Sequence, residues 1–261
     1  MRVMRSEWTK LRTLSSTGWL IAGAVVATIA VSATAVFAVD TSHCPTPAEC
    51  FEDTVRLSLG GIRFGQVVVV VLAVLAVSGE YATGTIRATL TANPRRLTVL
   101  AGKAVVLAAT VAGAGALGVL GSLLAGRMIL PGNGFNEANG YAPLSLMDGP
   151  TLRASVGSVL YLVLIALLAL GLALVIRDTA GTITTVFALL FVAPVVGLLV
   201  TDPEWRERLD QLTPMTAGLS VQATIGTDTM PIGPWPGLGV LAAYTAAALL
   251  AGGLLFTRRD Q

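Results

Sequence analysis

Few residues in this chain could hold a metal, attack a substrate or relay a proton, and they are scattered. The single histidine, His43, stands beside Cys44 in the stretch His43-Cys44-Pro45-Thr46-Pro47-Ala48-Glu49-Cys50. Two thiols and one imidazole make an incomplete zinc set, at a spacing that matches no zinc motif. The pair Cys44 and Cys50 reads instead as a local disulfide closing a small loop in an oxidising compartment, with two free thiols as the alternative. Intact mass with and without reductant distinguishes them: the bond gives a two-proton difference, free thiols give none.

A phosphate-binding loop needs a glycine-rich run ending in Gly-Lys-Ser/Thr, and Gly102-Lys103-Ala104 lacks both the upstream glycine and the hydroxyl. Neither a His-Glu-x-x-His helix nor a Gly-x-Ser-x-Gly elbow is present. The chain is therefore expected to carry out no catalysis, to hold no metal or other cofactor, and to bind no ATP by itself.

The elements that position these residues follow from composition. Of 261 residues 54% are hydrophobic and 12% charged, with a mean hydropathy of +0.77. Soluble domains carry about 25% charged residues, so the balance excludes both a soluble domain and a disordered chain. A bilayer core of about 30 Å takes roughly 20 apolar residues of helix, and six stretches approach that length. They run over about 18–39, 57–78, 104–126, 154–176, 180–201 and 237–257, giving an all-α membrane protein with a single six-span domain. The second reaches spanning length only by including Arg63, which reads as an interfacial anchor or, alternatively, a pathway-lining residue.

Basic residues orient the spans. Eleven of the 17 (Arg2, Arg5, Lys10, Arg12, Arg87, Arg95, Arg96, Lys103, Arg177, Arg258 and Arg259) fall on one side, and the positive-inside rule makes that side cytoplasmic. Both termini are then cytoplasmic, in a multi-pass protein of the plasma membrane. The first apolar run, 22 residues, exceeds the roughly 7–15 of a signal-peptide core, so it is expected to stay uncleaved.

Ahead of the first span, Met4, Trp8 and Leu11 share a helical face among Arg2, Arg5, Lys10 and Arg12. Residues 1–17 read as an amphipathic helix in the membrane interface, or as a simple basic anchor. Between spans two and three, Thr85 can cap a short cytoplasmic helix in which Ile86 and Leu90 lie one turn apart and Asn93-Pro94 is the stop. Such a helix is a shape a soluble partner could grip; an ordinary connection is the alternative. Between spans five and six, Asp202, Pro203 and Glu204 start an amphipathic helix bearing Trp205, Leu209 and Leu212. The apolar piece that follows, to Ile225, is too short to span and fits a re-entrant element.

Within the membrane, Ala114, Gly118, Ser122 and Gly126 recur every four residues in span three, as do Gly239, Ala243, Ala247 and Ala251 in span six. Both rows are expected to let helices approach closely. Pro194 is expected to kink span five. No Asp, Glu, His or Lys lies within the six stretches, whereas ion-coupled transporters usually need such a group.

The chain resembles the permease subunits of ABC transporters of the type-2 (export-type) class, in the small actinobacterial style. Three pieces carry the resemblance: Ser6-Glu7-Trp8-Thr9-Lys10-Leu11-Arg12-Thr13, then Gly79-Glu80-Tyr81-Ala82-Thr83-Gly84-Thr85-Ile86, then Pro94-Arg95-Arg96 with Gly102-Lys103. The resemblance implies a dimer, with an identical or related second permease, working with two copies of a cytoplasmic ATPase that binds ATP and Mg. It also implies ATPase contacts through the interfacial helix and through a coupling segment comprising Glu80, Gly84, Thr85, Ile86, Leu90 and Pro94. The re-entrant element would help close the outer side. Membrane lipid is the other expected partner; nucleic acid is not. An ion-coupled transporter or channel acting without an ATPase is the alternative function, and a membrane enzyme or scaffold a third.

Overall fold

The computed structural model describes Thr9, residues 15–41, 52–82, 84 and 96–258. Among these the chain is helical, with no strand. The helices are α1 (Ser15–Phe37), α2 (Thr54–Ser58), α3 (Ile62–Ala82), α4 (Arg96–Ile129), α5 (Gly149–Ile176), α6 (Thr179–Phe187), α7 (Ala193–Leu199), α8 (Pro203–Leu212), α9 (Pro214–Leu219) and α10 (Pro234–Arg258). Six helical stretches are long and apolar enough to cross a membrane: α1, α3, α4, α5, the α6–α7 unit and α10. The protein is thus built as a multi-pass membrane bundle.

Helix α5 is the centre. It packs against α3, α4, α6 and α10, while α1 lies across α3 and α4. Its residues Tyr161, Ile165, Ala166, Ala169, Leu170 and Ala173 are wholly buried, which explains why the fourth span is apolar all round rather than on one stripe. We call the bundle end that carries Ser15 and Arg258 proximal and the other end distal.

Local chemistry sets the helix ends. Asp178 caps α6, its carboxylate accepting from the Gly181 N–H at 2.6 Å, and Asp202 caps α8, accepting from the Glu204 N–H at 3.0 Å with Pro203 in the first turn. The helix expected to start at Asp202, Pro203 and Glu204 is therefore present as α8. At the distal end of α1 the Asn133 side-chain amide donates to the carbonyls of Val36 and Val39, each at 3.0 Å, satisfying acceptors at the helix end.

Two expectations need correction. The second span does not run unbroken from residue 57. Leu59, Gly60 and Gly61 form a turn between α2 and α3, and the spanning helix starts at Ile62. The turn exists because Gly61 lies directly on α1, where its N–H donates to Ser32 Oγ at 3.0 Å. A Cβ there would sit 2.0 Å from the Thr28 carbonyl oxygen. Arg63 consequently falls, exposed, in the first turn of α3.

The third spanning helix begins eight residues earlier than its apolar run, at Arg96, so Lys103 is helical and buried. Its 34 residues extend about 51 Å, well beyond a bilayer core. The stretch from Lys103 to Arg127 measures about 36 Å at the same rise, so these two cations bracket the apolar part.

The small-residue row of α4 is buried as expected, with Gly118 and Ser122 against Thr28 of α1 and Gly126 against Ser58 of α2. The row of α10 is not: Gly239, Ala243, Ala247 and Ala251 are all exposed. The face that packs on α5 is Leu241, Thr245, Ala248 and Gly252, with Gly171 of α5 against the Ala248 backbone. These residues, spaced by four, three and four, lie on the opposite side of the helix and carry the contact.

Pro194, expected to kink span five, stands just after a break in the regular helix ladder. It lacks the N–H that would bond the Leu190 carbonyl, and the helix ladder widens to a π turn over Ala188–Val192 just before it.

Candidate functional site

Two clusters gather the polar side chains, one at each end of the bundle. At the proximal end, α3 closes with Tyr81, whose carbonyl accepts from the Gly84 N–H at 3.2 Å. Gly84 is exposed and sits at φ +69°, a left-handed conformation that glycine adopts without a Cβ penalty. The Arg177 guanidinium lies 5.1 Å from the centre of the Tyr81 ring. Arg177 is also the one non-glycine among the described residues with a positive φ, at 62°, and forms the C-cap of α5 with its N–H on the Ala173 carbonyl. The turn joining α5 to α6 is thereby attached to the end of α3.

At the same end Arg96 Nη1 donates to the carbonyls of Phe256 and Thr257, each at 3.2 Å, which completes the last turn of α10 and ties it to the start of α4.

Of the residues singled out in the sequence, Glu80 is placed by its backbone, in the last turn of α3, and Gly84 just beyond it. Thr85, Ile86, Leu90 and Pro94 lie outside the described residues, as do Met4, Trp8 and Leu11 of the interfacial helix and the pair Cys44 and Cys50.

At the distal end a second cluster surrounds the segment between α8 and α10. Residues 214–223, comprising α9 and the 3-10 turn Ser220–Gln222, are buried except for half-exposed Thr216. They pack on α10 and α5, and Gly237 lets α10 approach them closely: a Cβ there would sit 2.0 Å from the Ala217 carbonyl oxygen. Polar side chains of the bundle reach the segment. Tyr161 donates its hydroxyl to the Gln66 carbonyl oxygen, and Gln66 Nε2 lies 3.2 Å from Met215 Sδ. Gln222 Nε2 contacts Ser158 Oγ at 3.2 Å and the Leu59 carbonyl at 3.5 Å. Arg153 Nη2 donates to the Ala223 carbonyl at 2.8 Å. The Asp53 carboxylate, which also caps α2, accepts from the backbone N–H groups of Thr224 and Ile225 and from the Thr224 hydroxyl.

This is holding chemistry, in which amides and one carboxylate saturate buried donors and acceptors. Among the described residues no group of three or more His, Cys, Asp or Glu comes together as a metal site. The sequence reading did not single out Gln66, Tyr161, Ser158 or Gln222. A signal existed for the first: Gln66 is the lone amide in an apolar run, and a buried amide must find a partner.

Changing Tyr161 to Phe strands the Gln66 carbonyl oxygen, and a loss of about 0.5–2 kcal/mol is expected, as for interhelical hydrogen bonds in membranes. The double variant Tyr161→Phe/Gln66→Leu is expected to recover part of it in detergent melts, because both partners are then apolar. Melts identical to wild type in the single variant would show that the bond contributes nothing.

No family model matches this chain, and no curated protein matches it.

Proposed function

We propose that this protein is the membrane subunit of an ATP-driven exporter of the type-2 ABC class, working as a dimer of permeases with two cytoplasmic ATPase subunits. In this reading the chain forms the translocation pathway in the plasma membrane and carries no catalytic machinery. ATP and Mg are bound by the partner. The proximal end faces the cytoplasm, where most of the basic residues fall. The interfacial helix with Met4, Trp8 and Leu11 and the coupling segment with Ile86 and Leu90 contact the ATPase. The buried segment 214–223 acts as a re-entrant element that closes the outer side.

One observation carries the reading furthest. The motif residues Tyr81, Gly84 and Arg96 are all at the proximal end, and two of them are joined to other spans: Tyr81 to the α5–α6 turn through Arg177, and Arg96 to the end of α10. Force applied to the segment between Gly84 and Arg96, which joins α3 to α4, therefore reaches three further spans (α5, the α6–α7 unit and α10) through short, direct contacts. That is what a subunit driven by a separate ATPase requires, since the partner's cycle can only shift the bundle through differential contacts with its two states.

The test is a mild-detergent purification of the tagged chain from its native host. An ATPase subunit is expected to come with it, and Glu80→Ala is expected to weaken the association. A chain that purifies alone as a stable oligomer overturns the reading in favour of an ion-coupled transporter, with Arg63 the first residue to replace in a transport assay.

A further inference from the structure

The buried segment 214–223 is fastened very differently at its two ends. Its leading end is held by its own chain neighbours. Thr216 Oγ1 donates to the Asp210 carbonyl at 3.0 Å, Thr213 pairs with Thr216, and Gln211 Nε2 donates to the Pro231 carbonyl at 2.8 Å. Helix α8, which precedes that end, is exposed along its first two turns. The one side-chain bond from the leading end to another span is the weak contact of Met215 Sδ with Gln66 Nε2 of α3, at 3.2 Å.

The trailing end is bound to the bundle. Within residues 222–225 the partners are Leu59, Asp53, Ser158 and Arg153, which belong to the α2–α3 region and to α5. Asp53 takes most of the load. One carboxylate oxygen accepts from the Thr224 hydroxyl at 2.8 Å and the Arg56 N–H at 2.9 Å, and the other accepts from the N–H groups of Thr224 and Ile225. Hydrogen bonds to an ionised carboxylate are about twice as strong as neutral ones, so these outweigh the longer contacts of Gln222.

We propose that Asp53 and Arg153 form a latch. They hold the backbone at 223–225, and residues 214–223 leave the bundle as one unit when that hold is lost. The functional meaning rests on the reading of this segment as the outer closure. The mechanical claim rests on the asymmetry of its polar fastening, strong at 222–225 and weak at Met215. Asp53 and Thr224 are half-buried and Ile225 is exposed, so the bonds of the latch break and re-form by exchanging protein donors for water.

Hydrogen–deuterium exchange of the full chain in lipid nanodiscs, without ATPase, tests the latch. Asp53→Asn keeps side-chain size and can still cap α2 through Oδ1, but it turns an amide NH2 toward the donors of Thr224 and Ile225. Exchange throughout 214–225 is expected to speed up about ten- to a hundred-fold, while α5 and α10 keep wild-type protection. Thr224→Val removes one bond and is expected to give a smaller rise in the same peptides. It decides the matter if Asp53→Asn does not fold. Acceleration confined to 224–225, or spread evenly through the spans, overturns the latch. Because the measurement uses the resting chain alone, the latch can stand where no ATPase associates, and it can fall where one does.

Discussion

Replacing Gly84 with leucine is expected to abolish transport while the bundle keeps its wild-type melting temperature. Gly84 sits at φ +69°, and no described atom lies within 4 Å of where its Cβ would be, so the effect is one of conformation and not of space. Any L-residue with an ordinary side chain pays about 1–2 kcal/mol for that backbone angle. A cost of this size shifts the population of the turn by roughly five- to thirty-fold. In the exporter reading the turn delivers the coupling segment to the ATPase, so ATP hydrolysis continues in the variant but no longer drives the bundle.

Glu80→Ala, one turn earlier at the end of α3, is expected to uncouple in the same direction. Asparagine tolerates the left-handed region, so Gly84→Asn is expected to retain most of the transport. The measurement is ATP hydrolysis and transport side by side in vesicles containing chain and ATPase. Unchanged transport in both Gly84→Leu and Glu80→Ala would sink the assigned coupling site.

The second large effect is structural. Gly61→Val is expected to prevent assembly of the bundle, seen as loss of a monodisperse peak in detergent and of a cooperative melt. The Cβ would lie 2.0 Å from the Thr28 carbonyl oxygen, 2.6 Å from Ser32 Oγ and 2.8 Å from the Ser32 nitrogen. Two of these are backbone atoms of a helix, which cannot step aside, so α1 and α3 must separate. The Gly61 N–H would also lose its acceptor, Ser32 Oγ, and be left unsatisfied where no water reaches it. Overpacking alone costs about 1–3 kcal/mol, and the lost bond adds to it. Gly113 is the control: it faces outward on α4 with nothing within 4 Å, and Gly113→Ala is expected to be neutral or to stabilise by about 0.5–1 kcal/mol. Equal melts for Gly61→Val and wild type would show that α1 and α3 do not approach as described.

The sequence made some of these features legible and concealed others. The start of α8 could be read from Asp202, Pro203 and Glu204 because a helix cap is a local event among adjacent residues. The spans could be counted because length and apolarity are properties of each stretch by itself. The break at Gly60-Gly61 was concealed by its apolar neighbours, which suit a spanning helix equally well, and the cause of the break is Thr28 on another helix. The two faces of α10 are a clearer case. Small residues recur every four positions on one side of the helix, and the sequence favoured that row, Gly239, Ala243, Ala247 and Ala251. The contact is made by the face containing Thr245 and Gly252, because Gly171 of α5 happens to stand opposite it. Asp53 and Arg153 looked like ordinary loop charges for a similar reason: their partners at 223–225 are distant in sequence and are main-chain groups, which have no signature of their own.

By itself, then, the sequence determined the class of the protein, the number of its spans and the places where several helices start, since each depends on hydrophobic length and on neighbours a few residues apart. The tertiary structure alone decided which face of α10 is buried, how Gln66 and Tyr161 reach Met215, and that one carboxylate at Asp53 fastens the segment between the last two spans. These are pairings between residues far apart in the chain, and periodicity within a helix does not say which of its faces packing will bury.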